Sequence, residues 1–299
     1  MKHIRIISPS GAIDPSYIDG AAARLRSWGY EVSEGRHARD VWGRFAGKDD
    51  DRLADLLEAL DDPSVDIILC SRGGYGLQRI IDHVPIGHHK PVIGFSDITA
   101  LHTIWAEAGV PSIHGIMCKH IATLLEDSEP IVALRQLLEG KGIEYTWDAH
   151  PLDHPGEATA PIIGGNLSVL YGLQGTPYDL RSILDLRFKT LDLKPILLIE
   201  DIGERHYHID RIMRNLKMSG ALTHLSGLIV GQFTDCEDDP LMNQTVYETI
   251  KEAVADYNYP VLFNAPIGHV EHNLPLWLNH EATIHSGTNS VLRLRGLDI

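Results

Sequence analysis

The sequence predicts an α/β protein of two parts: an N-terminal flavodoxin- or Rossmann-like domain on a parallel sheet, and a C-terminal mixed α/β domain. Three observations predict it. In the first 140 residues short apolar runs alternate with amphipathic helical stretches, the pattern of a parallel sheet covered on both faces. A polar stretch rich in Pro, Gly and His then breaks the pattern, at Gly140-Lys-Gly-Ile and Asp148-Ala-His-Pro-Leu-Asp-His-Pro-Gly156. Beyond it strands and helices are mixed, and the last segments alternate like a terminal hairpin. The 299 residues suffice for two ordinary domains, expected at 1–140 and 161–299 with a linker at 141–160.

The elements follow in order. Residues 4–7 read as a strand and 17–28 as a helix stopped by Gly29. Leu53, Leu56, Leu57 and Leu60 share one face of a helix over 52–60. Residues 67–70 are a strand, 77–83 a short helix, 92–95 a strand, 98–108 a helix and 111–114 one more strand. In the second half, strands are expected at 195–199, 228–233 and 261–263, with helices at 208–218 and 241–255. Ala282-Thr-Ile-His and Val291-Leu-Arg-Leu-Arg supply the hairpin. In such sheets functional residues gather at the carboxyl ends of strands.

Composition narrows the class. A 43% hydrophobic content supports real cores, while 26 basic against 41 acidic residues give a net charge of −15. That balance argues against nucleic acid and against an anionic membrane surface as partners. Cys70, Cys118 and Cys236 are odd in number and widely spaced, so a disulfide framework is not expected, and Cys70 reads as a buried thiol. Met1-Lys-His-Ile-Arg-Ile-Ile-Ser carries charges inside its apolar stretch and reads as a first strand, not a signal peptide. No run approaches the ~18 apolar residues of a membrane span. A cytoplasmic protein is expected.

The most telling residue is Ser96. The apolar run 91–95 ends at this serine, and a helical pattern follows through Ile98, Leu101, Ile104 and Trp105. A hydroxyl is thereby set on a strand-to-helix turn, beside the unpaired N–H groups of a helix start, as nucleophilic acyl chemistry requires. Gly94 precedes it as in a nucleophile elbow, but Ile98 stands where the second glycine would be. The plainer use of Ser96 or Asp97 is to cap the helix. A second strand ends in Glu200-Asp201, and Pro266-Ile-Gly-His269 follows a third. Alternation along a strand lets only one of Glu200 and Asp201 face a cleft. Serine, carboxylate and histidine at three strand ends are the parts of a triad, astride the two domains, with the active site at their interface.

The remaining motifs are weaker. Ser71-Arg-Gly-Gly-Tyr-Gly76 could cradle a phosphate, yet it lacks the Lys-Ser/Thr of a P-loop and the full dinucleotide spacing. Close backbone approach to a substrate is its better use. Gly164-Gly-Asn166 opens the second domain, with Asn166 either near the cleft or ending a tight turn. His269, Glu271 and His272 invite a metal, but no His-Glu-x-x-His helix exists and Pro275 follows too soon. His88-His89, His206 and His208 read as exposed or capping histidines. No metal site is expected.

Taken as an ordered set, Ser8-Pro-Ser-Gly11, Ser71-Arg-Gly-Gly-Tyr-Gly76, Gly94-Phe-Ser-Asp-Ile-Thr-Ala-Leu-His102, His114-Gly115, Gly164-Gly-Asn-Leu-Ser168, Glu200-Asp-Ile-Gly-Glu204, Ile209-Asp-Arg211 and Gly268-His269 cover nearly the whole chain. In order and spacing this set resembles the serine-type LD-carboxypeptidase family, the cytoplasmic muramoyltetrapeptide carboxypeptidases. The resemblance implies a Ser96, Glu200, His269 triad and an oxyanion hole from the N–H groups of Asp97 and Gly74, with Gly73 as the alternative donor. It implies a murein tetrapeptide substrate, cut at the L,D-bond before terminal D-alanine in cell-wall recycling, and no metal or organic cofactor. Members are often homodimers, and nothing in the residues bears on that.

Arg72, Arg79 and Arg205 are the sequence's candidates for the substrate's free carboxylate, because a guanidinium pairs it bidentately. Arg72, Asn166 and Arg205 are carried forward as expected substrate contacts. One departure from the family pattern is Trp277, in Leu274-Pro-Leu-Trp-Leu-Asn279, where a glycine is usual; it puts the pocket shape in question. Two rival readings remain. Microcin-immunity-like hydrolases of peptidyl or aminoacyl nucleotides resemble the same fold, but tend to have a longer segment than the 104 positions (200 − 96) between serine and glutamate here. A non-catalytic module binding a phosphate ligand through Gly73-Gly74 would retain ligand without turnover.

Overall fold

A computed structural model describes residues 1–87 and 90–298; His88 and His89 lie outside the described residues. The first sheet is built from β1 (His3–Ile7), β2 (Glu31–Glu34), β3 (Ile67–Cys70), β4 (Val92–Gly94) and β5 (Ser112–His114). Between and after them lie helices α1 (Pro15–Ser27), α2 (Asp49–Asp61), α3 (Thr99–Ala108), α4 (Cys118–Thr123) and α5 (Glu129–Leu138). Local chemistry explains their ends. Asp14 caps α1 by accepting from Ser16 N, with Pro15 in the first turn. Asp49, Asp50 and Asp51 open α2, where the helix dipole favours negative charge. The helix expected over 77–83 is instead two 3₁₀ turns, Leu77–Arg79 and Ile81–His83, separated by Ile80 at φ −128°.

Strands β6 (Ile143–Asp148), β7 (Gly156–Asn166), β8 (Ile196–Ile202), β9 (Gly227–Thr234) and β10 (Val261–Leu262) continue the chain, followed by β11 (Leu276–Leu278), β12 (Glu281–Ser286) and β13 (Asn289–Leu294). The helices of this half are α6 (Leu167–Gly172), α7 (Leu180–Ile183), α8 (His206–Met218) and α9 (Val246–Val254). The helix expected over 241–255 begins late because Asn243 takes φ 55° and Thr245 then caps with a Glu248 capping box.

The first sheet has the order β11-β5-β4-β3-β1-β2, parallel except for β11. The second runs β10-β9-β8-β7-β12-β13-β6, parallel through β7 and antiparallel beyond. This is the mixed α/β class expected. Two of the expected boundaries do not hold. Residues 141–160 are not a bare linker: β6 lies within them, paired to β13, and β7 starts at Gly156. Its period-two pattern, with Tyr145 buried between exposed Glu144 and Thr146, is short and flanked by Gly and Pro, which masks it as a strand. Nor does the C-terminal part keep to itself, since β11 adds an antiparallel edge to the first sheet.

That crossing matters for the site. One apolar core holds Ile6, Ile113, Leu276 and Trp277 together with Ile162, Leu198, Ile229 and Leu262, so the two sheets share packing and do not merely touch. Trp277 is 1% exposed within it, a core residue and not one of those lining the cleft described below. Cys70 and Cys118 are buried free thiols, and burial pushes both pKa values far up. No helix among the described residues is long and apolar enough to cross a membrane.

Candidate active site

Strand β4 ends at Gly94, Phe95 extends it, and Ser96 turns the chain at φ 66°, a left-handed conformation that costs a non-glycine residue about 1–3 kcal/mol. The tight turn carries the hydroxyl off the strand end just before a 3₁₀ turn and α3. The missing second glycine of an elbow is explained here. A side chain on Gly94 would meet Ile98 at 2.8–3.1 Å, so Ile98 fills the space that Gly94 leaves. Asp97 does not cap the helix. Its carboxylate is buried and accepts from Ser10 Oγ, in the loop after β1, and from Leu77 N at 2.9 Å, just beyond the glycine loop. Burial raises its pKa, while the bonds from Ser10 and Leu77 oppose the rise. Two segments are thus pinned to the serine turn.

The glycine loop lies against that turn. A Cβ on Gly73 would sit 2.7 Å from Ser96 Cβ and 3.0 Å from its Oγ, so only glycine permits the approach. Gly73 O accepts from Gly11 N at 3.0 Å, and in a trans peptide the N–H of Gly74 then points the opposite way. Among the described residues neither Gly74 N nor Asp97 N donates to a protein acceptor. Fully buried Arg52 donates to Pro9 O at 2.6 Å in the loop after β1, pairs with Asp49, and packs so closely on Gly76 that a Cβ there would meet its guanidinium at 2.7 Å.

Glu200 and His269 arrive from the second sheet. The β8–β9 register shifts between Ile199 and Asp201, a bulge at Glu200 that leaves both carboxylates buried but aimed apart. Glu200 Oε2 accepts from His269 Nδ1 at 2.7 Å. A carboxylate only accepts, so Nδ1 carries the proton and Nε2 is left as the basic nitrogen. Burial alone would raise the Glu200 pKa; the imidazoles of His114 and His269 outweigh it and hold the group down at about 2. Gly268, at φ 130°, makes the approach feasible, because a Cβ there would meet Glu200 Oε2 at 2.9 Å. Gly268 N donates to Asn273 Oδ1 and Thr234 Oγ1 to His269 O, fixing the loop backbone.

Asp201 turns the other way. It accepts from Asn166 Nδ2, Ser168 N, Ser168 Oγ and Ile202 N at 2.6–2.9 Å, and burial pushes its pKa up to about 6. Asn166 is spent in the same brace, capping α6 through Val169 N, while its own N–H donates to Thr99 Oγ1 on α3. That last bond crosses the two domains one helical turn beyond Ser96.

Of the three expected residues, Glu200 and His269 are bonded to each other, and His269 packs on Phe95, the residue before Ser96. Phe95 holds the His269 ring at 4.9 Å between centroids, yet no hydrogen bond links Ser96 to His269 in this structure. Catalytic hydrogen bonds are often long in a free enzyme and tighten on substrate. A cleft of about 480 Å³ opens beside His269, lined by Phe95, Lys119, His120, Ile202 and Glu271 among others. The arginines lie elsewhere: Arg72 donates to Ala12 O at 2.6 Å, Arg79 is paired bidentately with Asp49, and Arg205 lines a separate acidic cavity with Glu204, Asp235 and Asp238. His272 pairs with Glu129 at 3.0 Å, away from His269. His206 bonds to Thr249 in the core, and His208 to Glu204. Ser10, Thr99, His114 and Lys119 escaped the sequence reading of the site; Ser10, Thr99 and His114 at least sat inside quoted motifs.

Residues 4–115 match the LD-carboxypeptidase N-terminal domain and residues 159–284 the LD-carboxypeptidase C-terminal domain. The chain is 33% identical to the probable murein peptide carboxypeptidase of Bacillus subtilis, over 97% of this chain and 90% of that one. It is 27% identical to the murein tetrapeptide carboxypeptidase of Pseudomonas aeruginosa, over 90% and 89% of the two. The crystal structure of muramoyltetrapeptide carboxypeptidase from Oxalobacter formigenes has the same fold, with a TM-score of 0.85 at 23% identity and 100% of both chains covered. The microcin C7 self-immunity protein in complex with aspartyl sulfamoyl adenosine shares the fold at a TM-score of 0.81 and 18% identity, over 99% and 96% of the chains. With both domain matches in order and a third of the positions shared over nearly the full length, the chain belongs to the LD-carboxypeptidase family.

Proposed function

We propose that the protein is a cytoplasmic serine peptidase that removes terminal D-alanine from murein tetrapeptide by hydrolysing the L,D-peptide bond. Ser96 attacks the carbonyl, and His269 Nε2 takes the hydroxyl proton and returns it to the leaving amine. Glu200 holds His269 in the required tautomer and stabilises the imidazolium. The N–H groups of Asp97 and Gly74 receive the oxyanion, where one donor is worth about 10²–10³ in kcat. Water then takes the place of the amine, and the same histidine activates it to release the peptide.

The observation that carries this reading is the 2.7 Å bond between Glu200, a buried carboxylate, and His269 in the second sheet, set beside Phe95 and the left-handed Ser96 turn that packs against a glycine loop of the first. The substrate class is supported by the curated relatives, named for murein peptides over most of this chain's length. The microcin-immunity alternative rests on likeness of fold at low identity. Arg72 and Arg205 remain proposed contacts for more distant parts of the peptide, and Asn166 a support for the cleft wall. Purified protein incubated with murein tetrapeptide should release D-alanine, seen by mass spectrometry. The C-terminal amide and the L-alanine epimer should be poor substrates. Equal kcat/KM for acid and amide would make it an amidase or endopeptidase and overturn the assignment.

A further inference from the structure

Glu200 has two oxygens and only one is accounted for. Oε2 accepts the hydrogen bond from His269 Nδ1; Oε1, with no exposure to solvent, has no hydrogen-bond partner. Facing Oε1 at 3.9 Å is Nε2 of His114, itself fully buried, and neither of its ring nitrogens has a partner. Two unsatisfied buried groups of complementary chemistry, about 1 Å beyond hydrogen-bond reach, are costly apart and stabilising together. We propose that His114 is a positioning residue for the triad carboxylate, its Nε2–H being the second donor to Glu200, on the oxygen His269 leaves free.

The other groups around His114 are already paired or apolar. The nearest histidine is His102, whose ring centroid is 6.4 Å from that of His114, and both its nitrogens are taken. Nε2 donates to Gly94 O at 2.9 Å, so Nδ1 accepts from Ser112 Oγ at 2.9 Å. The Phe95 ring, 5.8 Å from His114, closes another side with carbon alone. His114 is also well mounted. It ends β5, opposite Gly94 of the serine strand and opposite Leu276 of β11, the strand that follows the His269 loop. A donor from the first sheet therefore grips a carboxylate from the second, and the bond closes when the sheets settle by about 1 Å. Held at both oxygens, Glu200 keeps its charge and its aim while His269 gains and loses the proton.

The inference rests on the triad reading, and the test separates the two. Murein tetrapeptide hydrolysis is measured for Ser96→Ala, His114→Leu, His114→Gln and His114→Asn. His114→Leu should lower kcat on the order of 10- to 100-fold with KM unchanged, the loss of one hydrogen bond to a charged group. Glutamine, whose amide reaches as far as Nε2, should restore most of kcat; asparagine, one carbon shorter, should not. The downfield NMR signal of the His269 Nδ1 proton should move in His114→Leu and stay in His114→Gln. In a Glu200→Gln background, His114→Leu should add little. Should the leucine variant fail to fold, glutamine against asparagine decides, and equal kcat in those two overturns the proposal. So does wild-type kcat in His114→Leu. Full activity of Ser96→Ala would instead overturn the triad itself.

Discussion

The two halves of the site are held in different ways. On the serine side, a strained backbone is tied by buried polar bonds to two other segments, since Asp97 grips Ser10 and Leu77, and Gly73 lies in contact with Ser96 itself. On the imidazole side, His269 rides a loop after β10, anchored by Glu200 and by two backbone bonds, with a cleft open beside it. The unmade bond between Ser96 and His269 is the gap between the two halves, and it spans the two sheets. The halves meet through the shared core, through β11 and through the bond from Asn166 N to Thr99 Oγ1.

The largest effects should come from breaking that meeting. Ser96→Ala and His269→Ala are each expected to cost on the order of 10⁴–10⁶ in kcat, and the double variant little more, because triad members act as a unit. Strictly multiplicative losses would count against a shared proton transfer. Next come the adjacent carboxylates. Glu200→Gln should lower kcat on the order of 10⁴-fold. Asp201→Asn should leave kcat nearly intact but cost about 1–3 kcal/mol in denaturant titrations, since an amide cannot accept from all four donors. A larger kcat loss at Asp201 would reverse the roles given to the two.

The strained turn offers a sharper contrast. Ser96→Gly should abolish activity yet be about 1 kcal/mol more stable than Ser96→Ala, because glycine accepts φ 66° without penalty. Equal stabilities would mean the turn is unstrained. Glu200 predicts an acid limb. Its pKa in the fold, about 2, lies below the ordinary 4.5, so its stabilising share is present above 4.5 and fades as pH falls toward 2. Stability measured across that range should fall less steeply in Glu200→Gln than in the native chain. The smallest effect expected is none: EDTA or phenanthroline should leave turnover intact, as His269 and His272 point to different partners. Loss with recovery on added zinc would overturn the serine mechanism.

Periodicity and strand-end chemistry in the sequence determined the alternating elements of the first sheet, the serine turn after β4, the carboxylate at the end of β8 and the histidine after β10, because these depend on neighbours within a few residues. The choice between Glu200 and Asp201 was not local: a bulge opposite β9 buries both, and their partners, His269 on one side and Asn166 with Ser168 on the other, decide which does what. Nor could spacing reveal that β6 lies within the expected linker, or that β11 returns to the first sheet, since a three-residue edge strand is specified by the strand it pairs with. The arginines looked apt in sequence because guanidinium suits carboxylate, but which partners each already holds, Ala12 O for Arg72 and Asp49 for Arg79, is set only by the fold. His114 shows the limit most plainly. A lone histidine at a strand end carries no signal by itself, and only tertiary packing, by placing it against the free oxygen of a buried carboxylate in the other sheet, gives it a reason to be there.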